Sequence, residues 1–187
     1  MADLSAMDRE FEKLASSVVF LSCEEDRKLR IEFASKIEKL LVENPENPDL
    51  YHKLGYCLYG IPEWLEEDKR RIETAFHRAI LLDPESIFSI LFLVFFYFDI
   101  GRYYLSIRCY ENFLILPLGN VQLWRSEKLA GINLACLIYT KQIDESNLGQ
   151  SLDKLIDRYS KLDEEDRELV DPVQIIAALN SMGFLKI

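Results

Sequence analysis

Histidine is almost missing from this chain of 187 residues: His52 and His77 are the only two. Neither belongs to an HExxH pair, and no phosphate-binding loop, GxGxxG turn or GxSxG elbow occurs, so the common catalytic frameworks are excluded. Glycine and proline are also scarce, at seven and six, too few for an all-β fold with many turns. Four cysteines, Cys23, Cys57, Cys109 and Cys136, form no CxxC pair, which argues against a zinc or dithiol motif. Each stands in an apolar helical context, where a thiol behaves as a small hydrophobe, and the sequence predicts free thiols in a reducing compartment. The longest apolar run, residues 87–98, is broken only by Ser89 and falls short of the roughly 20 residues that cross a bilayer. The opening MADLSAMDREFEKL is charged and amphipathic, with no apolar signal stretch, so a cytoplasmic location is expected. Bases are in deficit as well. Against 32 Asp and Glu stand 22 Lys and Arg, and a net charge of −10 argues against nucleic acid and against anionic membranes as partners.

What remains is apolar and acidic: 49% hydrophobic, 12% aromatic and 29% charged, which excludes a wholly disordered chain. The length suits one domain. Charge is unevenly spread. Residues 1–50 carry 12 acids and seven bases, residues 84–141 four and five, and residues 142–171 ten and four. A nearly neutral middle reads as core, and the acidic ends read as solvated surface open to partners.

Spacing predicts helix almost throughout. Leu4, Met7, Phe11, Leu14, Val18 and Leu21 alternate steps of three and four along one face. Ser22 with Glu25 has capping-box spacing and opens a second helix, lined by Leu29, Phe33, Ile37, Leu40 and Leu41, that stops near Asn44-Pro45. Asn47-Pro48 caps a third, ending at Gly60. A fourth runs from beyond Pro62 to Asp83-Pro84, a fifth is the apolar run ending at Ile100-Gly101, and a sixth spans Tyr103 to Pro117. Asn120 caps a seventh reaching about Lys141, an eighth carries Leu148, Leu152, Leu155, Ile156 and Tyr159, and Asp171-Pro172 opens a last one closed by Gly183. No strand is predicted, and short linkers favour antiparallel neighbours.

Helix starts at Pro48, Ser86 and Val121 are 38 and 35 residues apart. Tyr51, Leu54 and Gly55 have the aromatic-x-x-Leu-Gly spacing of a first repeat helix, and Phe76, Ala79 and Pro84 the Phe, Ala and Pro of a second. Ile90, Leu93, Tyr97, Gly101, Tyr110 and Pro117 follow more loosely, with Val94 where a small residue is usual. On these residues the chain resembles the tetratricopeptide-repeat superfamily over residues 47–117, with an enlarged turn at residues 61–69. The resemblance implies an all-α array of antiparallel helix hairpins in a right-handed superhelix. One domain over residues 1–187 would hold a degenerate pair (1–46), two repeat-like pairs (47–84 and 85–118) and a final pair with a capping helix (119–187). It also implies a peptide-binding groove lined by Asp49, His52, Tyr56 and Tyr59, then Phe88, Leu91, Phe95 and Phe98. Such a groove suits an apolar segment, and the Lys and Asn of a carboxylate clamp are replaced by His52 and Tyr56. The alternative is that terminal helices of the chain itself fill it.

Few residues point to chemistry. Glu73 and His77 share a helix face and read as a surface ion pair before a metal site. In Asp163-Glu164-Glu165-Asp166, Arg167 stands where a calcium loop needs a ligand, so the run reads as a solvated helix start. No catalytic residue, metal or cofactor is assigned. Two further features could bind. Trp64 in the enlarged turn is either an interface anchor or a staple for that turn. The acidic stretch 144–171, with Asp163, Glu164, Glu165 and Asp166 densest, either confers solubility or steers a basic partner. Together these readings predict a non-enzymatic protein-binding module. The specific expectation is a small bacterial immunity- or antitoxin-type protein that masks a basic toxin domain with its acidic face. The alternative is a cytosolic secretion chaperone holding an apolar client segment in the aromatic groove, and a third is an enzyme or sensor of a small ligand there.

Overall fold

The computed structural model describes residues 4–17, 23–116, 123–170 and 173–181. These form ten α-helices and no strand: α1 (Leu4–Ser17), α2 (Cys23–Glu43), α3 (Pro48–Tyr59), α4 (Glu66–Leu82), α5 (Ile87–Asp99), α6 (Tyr103–Leu114), α7 (Leu123–Tyr139), α8 (Glu145–Ser160), α9 (Glu164–Leu169) and α10 (Val173–Ser181). Val18, Leu21 and the expected signals at Ser22, Pro117, Asn120, Asp171-Pro172 and Gly183 lie outside the described residues. The chain packs as two compact units, Met1–Ser89 and Ile90–Ile187. The boundary falls inside α5 rather than between helix pairs.

Local chemistry accounts for most helix ends. The Asn47 side chain accepts hydrogen bonds from the backbone N–H groups of Asp49 and Leu50, at 3.0 and 3.2 Å, and Pro48 occupies the first turn, where its missing N–H costs nothing. At α4 the Asp68 carboxylate reaches back to the Leu65 N–H at 3.1 Å. Asp144 and Asp163 cap α8 and α9 by accepting from the N–H groups of Asn147 and Asp166, each at 2.8 Å. The end of α5 needs glycine: Gly101 has φ +73°, and the Arg102 N–H turns back to the Tyr97 carbonyl at 2.8 Å.

In the N-terminal unit, α3 packs against both α2 and α4. Leu50, Leu54, Cys57 and Leu58 of α3 are buried, with Ile72, Ala75, Phe76 and Ala79 of α4 and Phe33, Ala34 and Ile37 of α2. Gly55 sits under the Phe76 ring: a Cβ there would lie 2.6 Å from that ring. Helix α1 docks through buried Met7 and Leu14, through Phe11 against Phe33 and Tyr56, and through two ion pairs. Lys53 of α3 is buried and binds both Asp8 of α1, at 2.5 Å, and Asp49 of its own helix. Lys36 meets Glu10 at 2.8 Å. Burial alone would lower the Lys53 ammonium, but its hydrogen bonds to Asp49 and Asp8 outweigh that and hold its pKa above the usual lysine value.

The C-terminal unit is organised around α7, which packs against α6, α8, α9 and α10. Leu129, Ile132, Leu134, Ala135, Cys136 and Ile138 bury most of its circumference. In α5, Ile90, Leu91, Leu93, Val94, Phe96 and Tyr97 are buried as well, as expected of a helix that is hydrophobic on every side. Ser106 of α6 is fully buried and donates from Oγ to the Val94 carbonyl at 2.9 Å.

The Gly55 contact yields a direct test. Gly55→Leu forces a side chain into the fully buried Phe76 ring and is expected to destabilise the N-terminal unit by roughly 1–3 kcal/mol in urea unfolding, as overpacking commonly does. Gly55→Ala in a Phe76→Leu background should lose less than the two single changes together. Additive losses would mean that the helices do not approach at this contact.

Candidate functional site

The eight residues expected to line one groove are divided between the two units. Asp49, His52, Tyr56, Tyr59 and Phe88 belong to the N-terminal unit, and Leu91, Phe95 and Phe98 to the C-terminal unit. His52 Nδ1 lies 3.0 Å from Ser89 Oγ, which is 2.8 Å from Ser86 Oγ. Asp49 stands three residues earlier on the same helix, so acid, imidazole and hydroxyl occur together. The arrangement offers no nucleophile to a substrate, because Ser89 is fully buried and a reacting carbonyl needs room beside the hydroxyl. The imidazole is flanked by the rings of Phe76 and Phe88, at 6.0 and 6.4 Å. Burial lowers its pKa to about 4. Asp49 opposes that shift and Lys53 adds to it. His52 is thus a neutral, hydrogen-bonded part of the unit's interior at pH 7.

The other aromatic positions are partly occupied from within. Tyr56 packs edge-on against Phe11 of α1, 5.2 Å between centroids, and the Arg30 guanidinium lies 5.8 Å from its centroid. Arg30 is buried, pairs with Asp26 at 2.8 Å, and lies over Gly60, where a Cβ would meet the guanidinium. Arg27 donates to the Pro62 carbonyl at 2.9 Å, so α2 holds both sides of the enlarged turn. Trp64 donates from Nε1 to the Tyr59 carbonyl at 3.0 Å and packs on the Tyr59 ring at 5.1 Å. Trp64 thus folds the turn back onto α3. In the other unit Leu91 is buried, Phe95 lies under the Lys128 ammonium at 5.7 Å, and Phe98 packs against the cluster of Leu134, Ala135, Ile138, Leu148 and Ala178. Phe88 keeps substantial exposure, at 42%.

The acidic run behaves as a helix start. Asp163 is the cap of α9, Glu164 and Glu165 face solvent, and Asp166 is partly buried. Glu73 and His77 lie on α4, and among the described residues no group of three His, Cys, Asp or Glu is placed to hold a metal ion. No described helix is long and apolar enough to cross a membrane.

A feature that the sequence reading did not single out lies in the C-terminal unit. A cavity of about 280 Å³ opens where α7, α8 and α10 meet. Helix α7 contributes Glu127, Lys128, Gly131 and Ile132, α8 contributes Leu152, Leu155, Ile156 and Tyr159, and α10 contributes Gln174, Ile175, Ile176 and Leu179. Close packing shapes it: a Cβ on Gly131 would come within 3.3 Å of Ile175. The walls are aliphatic, yet Ile156 is 64% exposed and Ile176 is 41% exposed. Glu127 is buried among them. Its Oε2 accepts no hydrogen bond, and Arg158 Nη1 is 3.9 Å away, beyond hydrogen-bond reach. Burial raises the Glu127 pKa above its ordinary value, with Arg158 opposing. Every other buried charged side chain among the described residues has a close partner: Asp26 with Arg30, and Lys53 with Asp8 and Asp49. A signal for this site was present in the sequence. Glu127 is one of only four acids in residues 84–141, and Gly131 follows it by one helical turn on the same face.

No protein-family model matches the chain, and comparison with curated proteins and with solved structures gives no match.

Two expectations follow from these environments. The unfolded chain takes up a proton at His52 near pH 6.5, whereas the folded unit resists until about pH 4. Stability should therefore be full above pH 6.5 and decline as pH falls towards 4. His52→Gln should flatten that decline, read as the difference between urea midpoints of the two proteins at pH 7 and 4.5; equal slopes would place His52 in solvent. Burial also pushes the Cys57 thiol up to about 12 and the Cys136 thiol up to about 11. Neither should react with a thiol reagent in the native protein at pH 8, and both should react after unfolding. Native labelling of Cys57 identified by mass spectrometry would contradict its burial.

Proposed function

We propose that this chain is a non-enzymatic protein-interaction module, an array of antiparallel helix hairpins in a TPR-like right-handed superhelix that recognises a basic protein partner in the cytoplasm. Within that class the specific reading is an immunity- or antitoxin-type protein that masks a basic toxin domain. One observation carries it. Helix α8 presents Asp153 and Asp157 to solvent and Leu152, Leu155 and Ile156 to an apolar cavity, so charge and apolar surface stand side by side. The exposed Glu164 and Glu165 of α9 extend the acidic surface. Carboxylates of one sign accelerate the approach of a cationic surface, and apolar contact then slows its departure. A second reading, a secretion chaperone holding an apolar client segment, is favoured by the aliphatic walls alone.

Salt separates the two. Screening over about 8 Å at physiological ionic strength acts on exposed charges far more than on buried apolar contact. Association of a basic protein captured on the immobilised chain should slow as salt rises. Changing Asp153, Glu164 and Glu165 together to Lys should slow it by an order of magnitude or more, without disturbing the Asp144 and Asp163 caps. An association rate indifferent to salt and to these three changes would remove the toxin-masking reading and leave the chaperone.

A further inference from the structure

We propose that the cavity of the C-terminal unit is the docking site for one amphipathic, basic helix of a protein partner. Its aliphatic side chains would enter between α8 and α10, and a lysine or arginine would be directed to Glu127. The inference rests on the protein-binding reading above and goes further by naming the site and the recognised element.

Shape and wall chemistry argue for a helix face. At about 280 Å³ the cavity is at the low edge of sites that enclose whole small ligands, but it has room for a few protruding aliphatic side chains. Anchors at successive turns of a helix are spaced to fill such a cleft between two helices. Ile156 and Ile176 are exposed at this cavity rather than turned into the core, so apolar surface is left for a partner to cover. Charge fixes the sign of the partner. Residues 142–171 carry ten acids against four bases, and Glu127 lines the cavity as a buried carboxylate whose Oε2 accepts no hydrogen bond. A buried carboxylate oxygen with no donor closer than the 3.9 Å of Arg158 is costly, and a cationic donor brought within hydrogen-bond reach by a ligand reduces that cost. Lys128 also lines the cavity, but its ammonium lies 5.7 Å from the Phe95 ring centroid, and an acidic helix would meet repulsion from Glu127 and from the acidic excess of residues 142–171.

The test uses the full chain and two designed, fluorescein-labelled helical peptides of about 15 residues, long enough to form a helix on docking. Both have leucines at successive helical turns; one is flanked by lysines and the other by glutamates. Fluorescence anisotropy should show binding of the lysine peptide and none of the glutamate peptide. Ile156→Asp and Ile176→Asp should each weaken the lysine peptide by about tenfold or more, as truncated anchors do. Both positions are exposed, so these variants should keep the native circular dichroism spectrum and melting temperature. Glu127→Gln should weaken the lysine peptide but leave unchanged a third peptide whose lysines are replaced by glutamine. Equal binding to native protein and both isoleucine variants would show general attraction to acidic surface and would overturn the site. Binding of the glutamate peptide as tightly as the lysine peptide would overturn the basic partner. Dimerisation of the chain that is abolished by Ile176→Asp would overturn it in favour of a second copy as occupant. If the peptides fail while capture of a basic protein remains salt-dependent, the cavity alone is lost; if no protein partner binds, the protein-binding reading is lost with it.

Discussion

The buried carboxylate of Glu127, whose Oε2 accepts no hydrogen bond and has only the long ion pair to Arg158 at 3.9 Å, is the point at which the C-terminal unit departs from what stability asks of it. Helix α7 carries the core of that unit, and an isoleucine or leucine at position 127 would bury without penalty in its aliphatic surroundings. Its pKa, raised by burial, says the same in terms of protons: the folded unit holds the charged form less readily than water does. Interior charges elsewhere are treated differently. Lys53 binds two carboxylates, and Arg30 binds Asp26 and lies over Tyr56. Short ion pairs hold the buried charges of the N-terminal unit, whereas Glu127 has only the long pair to Arg158 beside an open, largely apolar cavity, and this contrast is what the proposed recognition role of Glu127 rests on.

The N-terminal unit answers to a different constraint, the distance between α3 and α4. A glycine at position 55 lets the Phe76 ring lie against the α3 backbone, and His52 then packs on the same ring. Burial of Phe76 and its aliphatic neighbours contributes about 1.5–3 kcal/mol each, whereas exposed pairs such as Lys36–Glu10 contribute under about 1 kcal/mol. The close approach therefore sets the stability of this unit, and the ion pairs of α1 position that helix over Tyr56.

Much of the architecture is legible in the sequence because it is local. Asn47-Pro48, Asp144, Asp163 and Gly101 act through bonds spanning a few residues, and the Gly55–Phe76 contact follows from a spacing that places both on facing helices. The candidate site was less legible because it depends on which helices meet. Nothing local indicates that α1 lies over Tyr56 or that Trp64 folds onto Tyr59. In the run from Ile87 to Phe98 both outward and inward faces are apolar, so periodicity does not tell a groove wall from a core helix; Leu91 proved buried and Phe88 exposed. The cavity joins residues from α7 to α10, about 50 positions apart in the chain, and only the isolated Glu127 marks it in advance.

Amide hydrogen exchange of the full chain, alone and saturated with a captured basic partner, decides whether the cavity of the C-terminal unit is where a partner docks. Slowed exchange is expected in α7, α8 and α10, where the cavity is lined, with α3 and α4 unchanged. Protection confined to α3 and α4, with exchange in α7, α8 and α10 unaltered, would contradict it.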